Sequence, residues 1–211
     1  MRPTYFIMIS AAILVSGLSL GGCTPTVIQE TAQAAFEDRI TEDQISDLKI
    51  ASGIHKRLAL KDKNLLLDVG IDVWEQRVML TGTLDGRASL DNVLALTRED
   101  ERIKVLYNEI RIVPTDELNK RRELASAKGE AEKSGIEQTV NDYWIEAKIK
   151  GKLIGTRGVT SVNYRWRSVK NTVYIIGRAR SSGEREQVLG IIRDTEGVKN
   201  TKHFVEVKPI S

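Results

Sequence analysis

The feature that most constrains this chain is an internal repeat. Shifted by 95 residues, the sequence falls on itself. Asp47 lands on Asp142, Ile50 on Ile145, Ile54 on Ile149 and Leu58 on Leu153. Val78 lands on Val173, Gly82 on Gly177, Val93-Leu94 on Val188-Leu189 and Arg98 on Arg193. Glu101 and Lys104 land on Glu196 and Lys199, and Ile110 and Ile112 on Val205 and Val207. The register holds from Asp47 to Ile112 without a gap. Whatever one copy folds into, the other must fold into as well. Each copy, at about seventy residues, is near the lower limit for an independent core.

Both copies read as the same element string. A helix (44–60; 140–154) carries apolar residues at four-residue spacing: Ile50, Ile54 and Leu58, or Ile145, Ile149 and Leu153. A strand follows (67–74; 160–167), then a turn at Glu75-Gln76 or Ser168–Asn171. The second strand (77–83; 172–178) shows the alternation of a half-buried antiparallel strand. A second helix (85–99; 181–194) and a last strand (104–112; 199–207) complete the copy. The fold class is α+β: two tandem α-β-β-α-β domains, 43–113 and 140–208, each a small three-stranded mixed sheet with two helices on one face. Gly82 and Gly177 close the second strand, where a close backbone approach or a positive φ would require glycine. They are expected to be structural. Residues 114–139 form a charged Ala/Glu/Lys-rich linker whose composition suits a helix.

The first 22 residues read as a signal peptide. Arg2 precedes an apolar run from Tyr5 to Leu20, too short to span a bilayer comfortably. The single cysteine follows directly, in Leu20-Gly21-Gly22-Cys23. This resembles a bacterial lipobox, with Gly21 where Ala or Ser is usual. The resemblance implies cleavage before Cys23, acylation of Cys23, and, with Thr24 rather than Asp next, an outer-membrane destination facing the periplasm. Several acyl chains together give stable anchoring. Residues 23–42 would then be a lipidated tether.

The repeat resembles the BON domain, a bacterial periplasmic module. The residues that carry this are Val78-Met-Leu-Thr-Gly82, Val173-Tyr-Ile-Ile-Gly177 and the Glu196-Gly-Val-Lys199 lead-in to the last strand. Glu101-Arg-Ile-Lys104 lacks that glycine. Tyr107-Asn-Glu-Ile-Arg111, followed after the linker by Asp142-x-Trp-Ile-x-x-Lys148, is similar to the dual-BON outer-membrane lipoproteins linked to division and outer-membrane stress. The resemblance implies binding of anionic phospholipid through the first helix of the second domain, matched here by Trp144, Ile145 and Lys148.

Charge is consistent with that assignment. The second copy holds 14 Lys/Arg and 7 Asp/Glu, net +7, against 11 and 12, net −1, in the first. Basic residues near an anionic leaflet contribute about 1 kcal/mol each. Trp144, Lys148 and Lys152 form a stripe beside the Ile145 stripe. The counterpart of Trp144 is Lys49, and a position that takes lysine in one copy is unsuited to a core. Trp144 is therefore expected to be exposed beside Lys148, Lys150 and Lys152. Trp166, beside Arg165 and Arg167, aligns with Ile71 and reads as a sheet-face residue; Trp74 aligns with Val169 and reads as packing.

Catalysis has little support. His55 and His203 are the only histidines and lie in different copies. No catalytic residues, metal ligands or cofactor motifs are expected. An exported destination also argues against nucleic acid as a partner. The expectation is a non-enzymatic outer-membrane lipoprotein that binds an anionic phospholipid membrane and supports envelope integrity at division sites. The competing reading is a periplasmic scaffold whose Trp144 face binds an envelope or division protein.

Overall fold

The structure, a computed structural model, describes residues 37–126 and 137–209. The segment read as a signal peptide, and Cys23, lie outside the described residues. The first unit runs α1 (Thr41–Lys61), the short α2 (Leu65–Asp68), β1 (Val69–Trp74), β2 (Arg77–Leu84), α3 (Arg87–Arg98) and β3 (Val105–Ile112). Helix α4 (Thr115–Ser126) lies in the linker. The second unit runs α5 (Glu137–Gly155), a 3₁₀ turn (Ser161–Asn163), β4 (Tyr164–Val169), β5 (Thr172–Ala179), α6 (Ser182–Arg193) and β6 (Asn200–Val207).

The 95-residue shift is kept pair for pair. In each three-stranded sheet the first two strands are antiparallel and the last two parallel. Val69 pairs with Gly82 as Tyr164 pairs with Gly177, and Arg77 with Val105 as Thr172 with Asn200. The mixed α+β architecture read from the sequence is the observed one. The first strands start later than expected. Residues before them are wound into α2 and the 3₁₀ turn, and β4 continues to Val169. Both hairpins then close through two residues with positive φ, Glu75-Gln76 and Lys170-Asn171, a geometry that matches strand twist.

One buried aspartate clamps each hairpin. Asp47 accepts the backbone N–H groups of Glu75 and Gln76, both at 2.7 Å. Asp142 accepts those of Lys170 and Asn171 at 2.8 and 2.9 Å, plus the Ser168 hydroxyl at 2.7 Å. The first helix of each unit is thereby fixed to its sheet. Burial pushes the Asp47 carboxyl up from the usual carboxylate range, opposed by those N–H groups and by Arg39. At Gly82, with φ of 118°, a Cβ would lie 1.9 Å from the Asp68 carbonyl oxygen; at Gly177 it would lie 2.2 Å from that of Asn163. Ser181 caps helix α6, its hydroxyl accepting the Glu184 N–H at 3.1 Å.

Each unit packs its helices on one sheet face. Ile50, Ile54 and Leu58 meet Val78, Leu80 and Val93; Ile145, Ile149 and Leu153 meet Val173, Ile175 and Val188. The other faces pack against each other. Trp74 and Met79 of the first sheet meet Val169, Tyr174 and Ile176 of the second, and Tyr107 stacks on Phe204 with centroids 3.9 Å apart. Strands β2 and β5 are therefore covered on both faces, not half-buried as their alternation suggested. Arg77 crosses the seam, donating to the Phe204 and Gly177 carbonyls at 2.8 and 3.0 Å. Arg111 crosses it to Tyr174 Oη and Thr172 Oγ1, and Arg167 crosses to Asp72.

Candidate membrane-docking face

With the sheets packed against each other, the helix layers form the outer surfaces, and α5 lies on the second unit's outer side. Ile145, Ile149 and Leu153 turn into the core at 2%, 0% and 0% exposure. Ile145 was expected among the lipid-contacting residues. It lies wholly in the core, because it belongs to the stripe that holds α5 to its sheet. Its part in any surface is to set the rotation of the helix.

That rotation selects what faces out. Tyr143, Trp144, Ala147, Gly151 and Ile154 are all exposed. At 3.6 residues per turn they fall within one arc of about 100°. Tyr143 is 60% exposed, Trp144 50% and Ile154 64%. The Tyr143 and Trp144 rings meet edge to face with centroids 5.9 Å apart. The helix thus shows solvent an apolar strip with two small residues at its centre, where a Cβ on Gly151 would meet nothing within 4 Å.

Lysines border the strip on both sides. Lys148 and Lys152 lie on the side toward α6. Lys148 Nζ donates to Glu196 at 2.7 Å, and this bond holds the Glu196 carboxyl below its ordinary range. Lys152 Nζ donates to the Asp194 carbonyl and Thr195 Oγ1, both at 3.2 Å. Lys150 borders the opposite side and lines a groove between α5 and β4 with Tyr143, Ile154, Arg165 and Trp166. Trp166 packs against the core and donates its indole N–H to the Glu146 carbonyl at 3.3 Å. Glu146 Oε1 accepts the Ser168 N–H at 2.7 Å, and burial raises its carboxyl above the usual range.

The sequence pointed to Trp144 and the three lysines. It missed Tyr143 and Ile154, the most exposed apolar residues of the strip. Ile154 follows Leu153 and reads as part of an apolar run; only its angle, opposite Ile145, marks it as outward. Trp74 is fully buried, with the Arg39 guanidinium 4.5 Å and that of Arg165 5.5 Å from its ring centroid. Among the described residues, no helix is long and apolar enough to cross a membrane.

Comparison with known families identifies one of the two units. The family model for the BON domain matches residues 141–209, so a BON domain is present in the second unit. Over 164 residues, 78% of this chain and 96% of the relative, the chain is 29% identical to a protein of Anaplasma centrale described as an uncharacterized protein in the gshII 5′ region. It is 23% identical over 179 residues, 82% of each chain, to the outer membrane lipoprotein DolP of Haemophilus influenzae. Among solved structures, CdsD, a structural protein of the type III secretion system of Chlamydia trachomatis, aligns with 76% of this chain and 93% of its own at 10% identity and a TM-score of 0.29.

Proposed function

We propose that this chain is a non-enzymatic outer-membrane lipoprotein, anchored through acylated Cys23, that docks on anionic phospholipid by the outward strip of α5. One observation carries the reading. An exposed Tyr143–Trp144 pair and Ile154 share a helix face bordered by lysines on both sides. Such a face suits the boundary between acyl chains and phosphate headgroups: the rings and Ile154 enter, and the ammonium groups stay at phosphate level. The BON match and the similarity to an outer membrane lipoprotein support the envelope setting. In this reading the first unit braces α5 through the sheet seam, and the role is maintenance of the outer membrane, including at division sites.

The test is co-sedimentation of the chain from residue 24 onward with vesicles of phosphatidylcholine, with and without phosphatidylglycerol. Binding should require phosphatidylglycerol, fade with salt and be lost in Trp144→Glu. Equal or absent binding for folded parent and variant would overturn the lipid reading and turn the search to an envelope protein bound by the same face.

A further inference from the structure

A second anion-recognising feature lies beside this face, and in this structure the chain itself fills it. Residues 37–40, just ahead of α1, cross onto the second unit. The Asp38 carboxylate accepts two bonds from the Arg180 guanidinium, at 2.6 and 2.8 Å, and one from Asn163 Nδ2 at 2.7 Å. The Asp38 N–H donates to Asn163 Oδ1 at 2.9 Å, and Arg178 Nη1 donates to the Asp38 carbonyl at 3.2 Å. Glu37 takes the Arg165 guanidinium on one carboxylate oxygen and Arg39 on the other. Arg39 returns to the first unit through Asp47.

Three points mark this as a built recognition site. Asn163 is fully buried, and its amide reads both the N–H and the carboxylate of one residue, as a receptor reads a peptide. Arg180 grips Asp38 in the two-pronged manner that fits carboxylate and phosphate oxygens alike. Arg178 is already engaged by Glu75 and by the Lys208 and Pro209 carbonyls, leaving Arg165 and Arg180 as the cations that the strap neutralises. Arg165 also lines the groove shared with Tyr143, Lys150 and Ile154, so the site adjoins the docking strip.

We propose that Asn163, Arg165 and Arg180 form an anion cradle held in cis by Glu37 and Asp38, which yields to headgroup phosphates when α5 docks on an anionic membrane. This rests on the reading of α5 above. The strap acts as an internal competitor: the cradle takes phosphate only in the fraction of molecules whose strap is open, and apparent affinity falls accordingly. Releasing the strap adds two guanidiniums to the lysine border.

The test uses the chain from residue 24 onward, which keeps every residue described above, with phosphatidylglycerol-containing vesicles. Replacing Glu37→Gln and Asp38→Asn together should tighten binding by about threefold to tenfold, in line with the contribution of one or two added basic residues. Adding Arg180→Gln to that pair should cancel most of the gain. In the parent, hydrogen exchange at the Asp38 amide should speed up on vesicles containing phosphatidylglycerol and stay slow on phosphatidylcholine alone. A folded double variant that binds no tighter, or an Asp38 amide still protected on the bound protein, overturns the cradle. If Trp144→Glu abolishes parental binding in that case, the docking reading survives without it. Binding by the double variant alone, with a silent parent, would support the cradle as a mask; binding by neither would overturn both ideas.

Discussion

Helices α1 and α5 occupy the same place in the two repeats and share everything that faces inward. Ile50, Ile54 and Leu58 do for one sheet what Ile145, Ile149 and Leu153 do for the other, and Asp47 and Asp142 clamp equivalent hairpins. Facing outward they differ. Where α5 shows Tyr143, Trp144, Ala147, Gly151 and Ile154, α1 shows Leu48, Lys49, Ser52, Lys56 and Ala59. Packing fixes the inner stripe to within a methylene or so, whereas solvent leaves the outer face free to diverge. The shared residues report the fold, and the unshared ones report what each unit can touch.

The largest expected effect tests whether the repeats are equivalent at their most constrained point. Gly82→Ala and Gly177→Ala each force a Cβ onto a carbonyl oxygen at a positive φ. Each should cost about 3 kcal/mol or more in denaturant unfolding. Tolerance at one site only would show that the matching register hides different backbone strain.

The seam between the sheets is where equivalent positions part company. Arg77 aligns with Thr172, and Arg111 with Glu206. Arg77→Ala would remove the guanidinium that donates across the seam to the Phe204 and Gly177 carbonyls. A loss of about 2–4 kcal/mol is expected. Thr172→Ala, removing one acceptor for Arg111, should cost about 1 kcal/mol. Equal losses would mean that the seam draws evenly on both sheets, contrary to this division.

These two tests bear on how much of the molecule could be read from its residues. The repeat, the inner stripes and the glycine positions follow from local pattern, because helix and strand periods and a required positive φ leave marks on single residues. The seam left a weaker mark. Val78-Met79-Leu80 and Val173–Ile176 are apolar on both faces, which signals two covers rather than one. Nothing in the pattern says that the second cover is the other repeat. The strap was unreadable for a related reason: Glu37 and Asp38 look like ordinary tether acids until the fold brings Arg165 and Arg180 within reach. Ile145 packs in the core because it belongs to the stripe that holds α5 to its sheet.

Trp144→Lys gives α5 the residue that α1 carries at that place. Vesicle affinity should fall about tenfold or more, equivalent to about 1.4 kcal/mol. Folding stability should move by no more than about 0.5 kcal/mol, as for an exposed position. The reciprocal Lys49→Trp should gain little, since Ser52 and Lys56 interrupt the face beside the exposed Ile45 and Leu48. A gain equal to the loss at Trp144 would show that one indole suffices and that the surrounding face is incidental.

The smallest effect concerns a residue that the first repeat does without. Glu146 aligns with Ala51, and its carboxylate sits beside the core to accept the Ser168 N–H. Burial raises its pKa, opposed by that N–H and by Arg167, and reinforced by Asp72 and Asp142. A carboxyl whose pKa is higher folded than unfolded binds its proton more tightly in the native state, so its contribution is fullest at low pH. That contribution is lost as pH rises through the folded value and stays lost above it. Glu146→Gln keeps an oxygen for the Ser168 N–H and has nothing to titrate. Relative to the parent, the variant should therefore gain stability between pH 4 and pH 7 in urea unfolding, with no change in vesicle binding beyond that of removing one negative charge from the groove. A difference that is flat with pH would show that Glu146 is as well solvated when folded as when unfolded, and that the groove beside α5 is wetter than its packing implies.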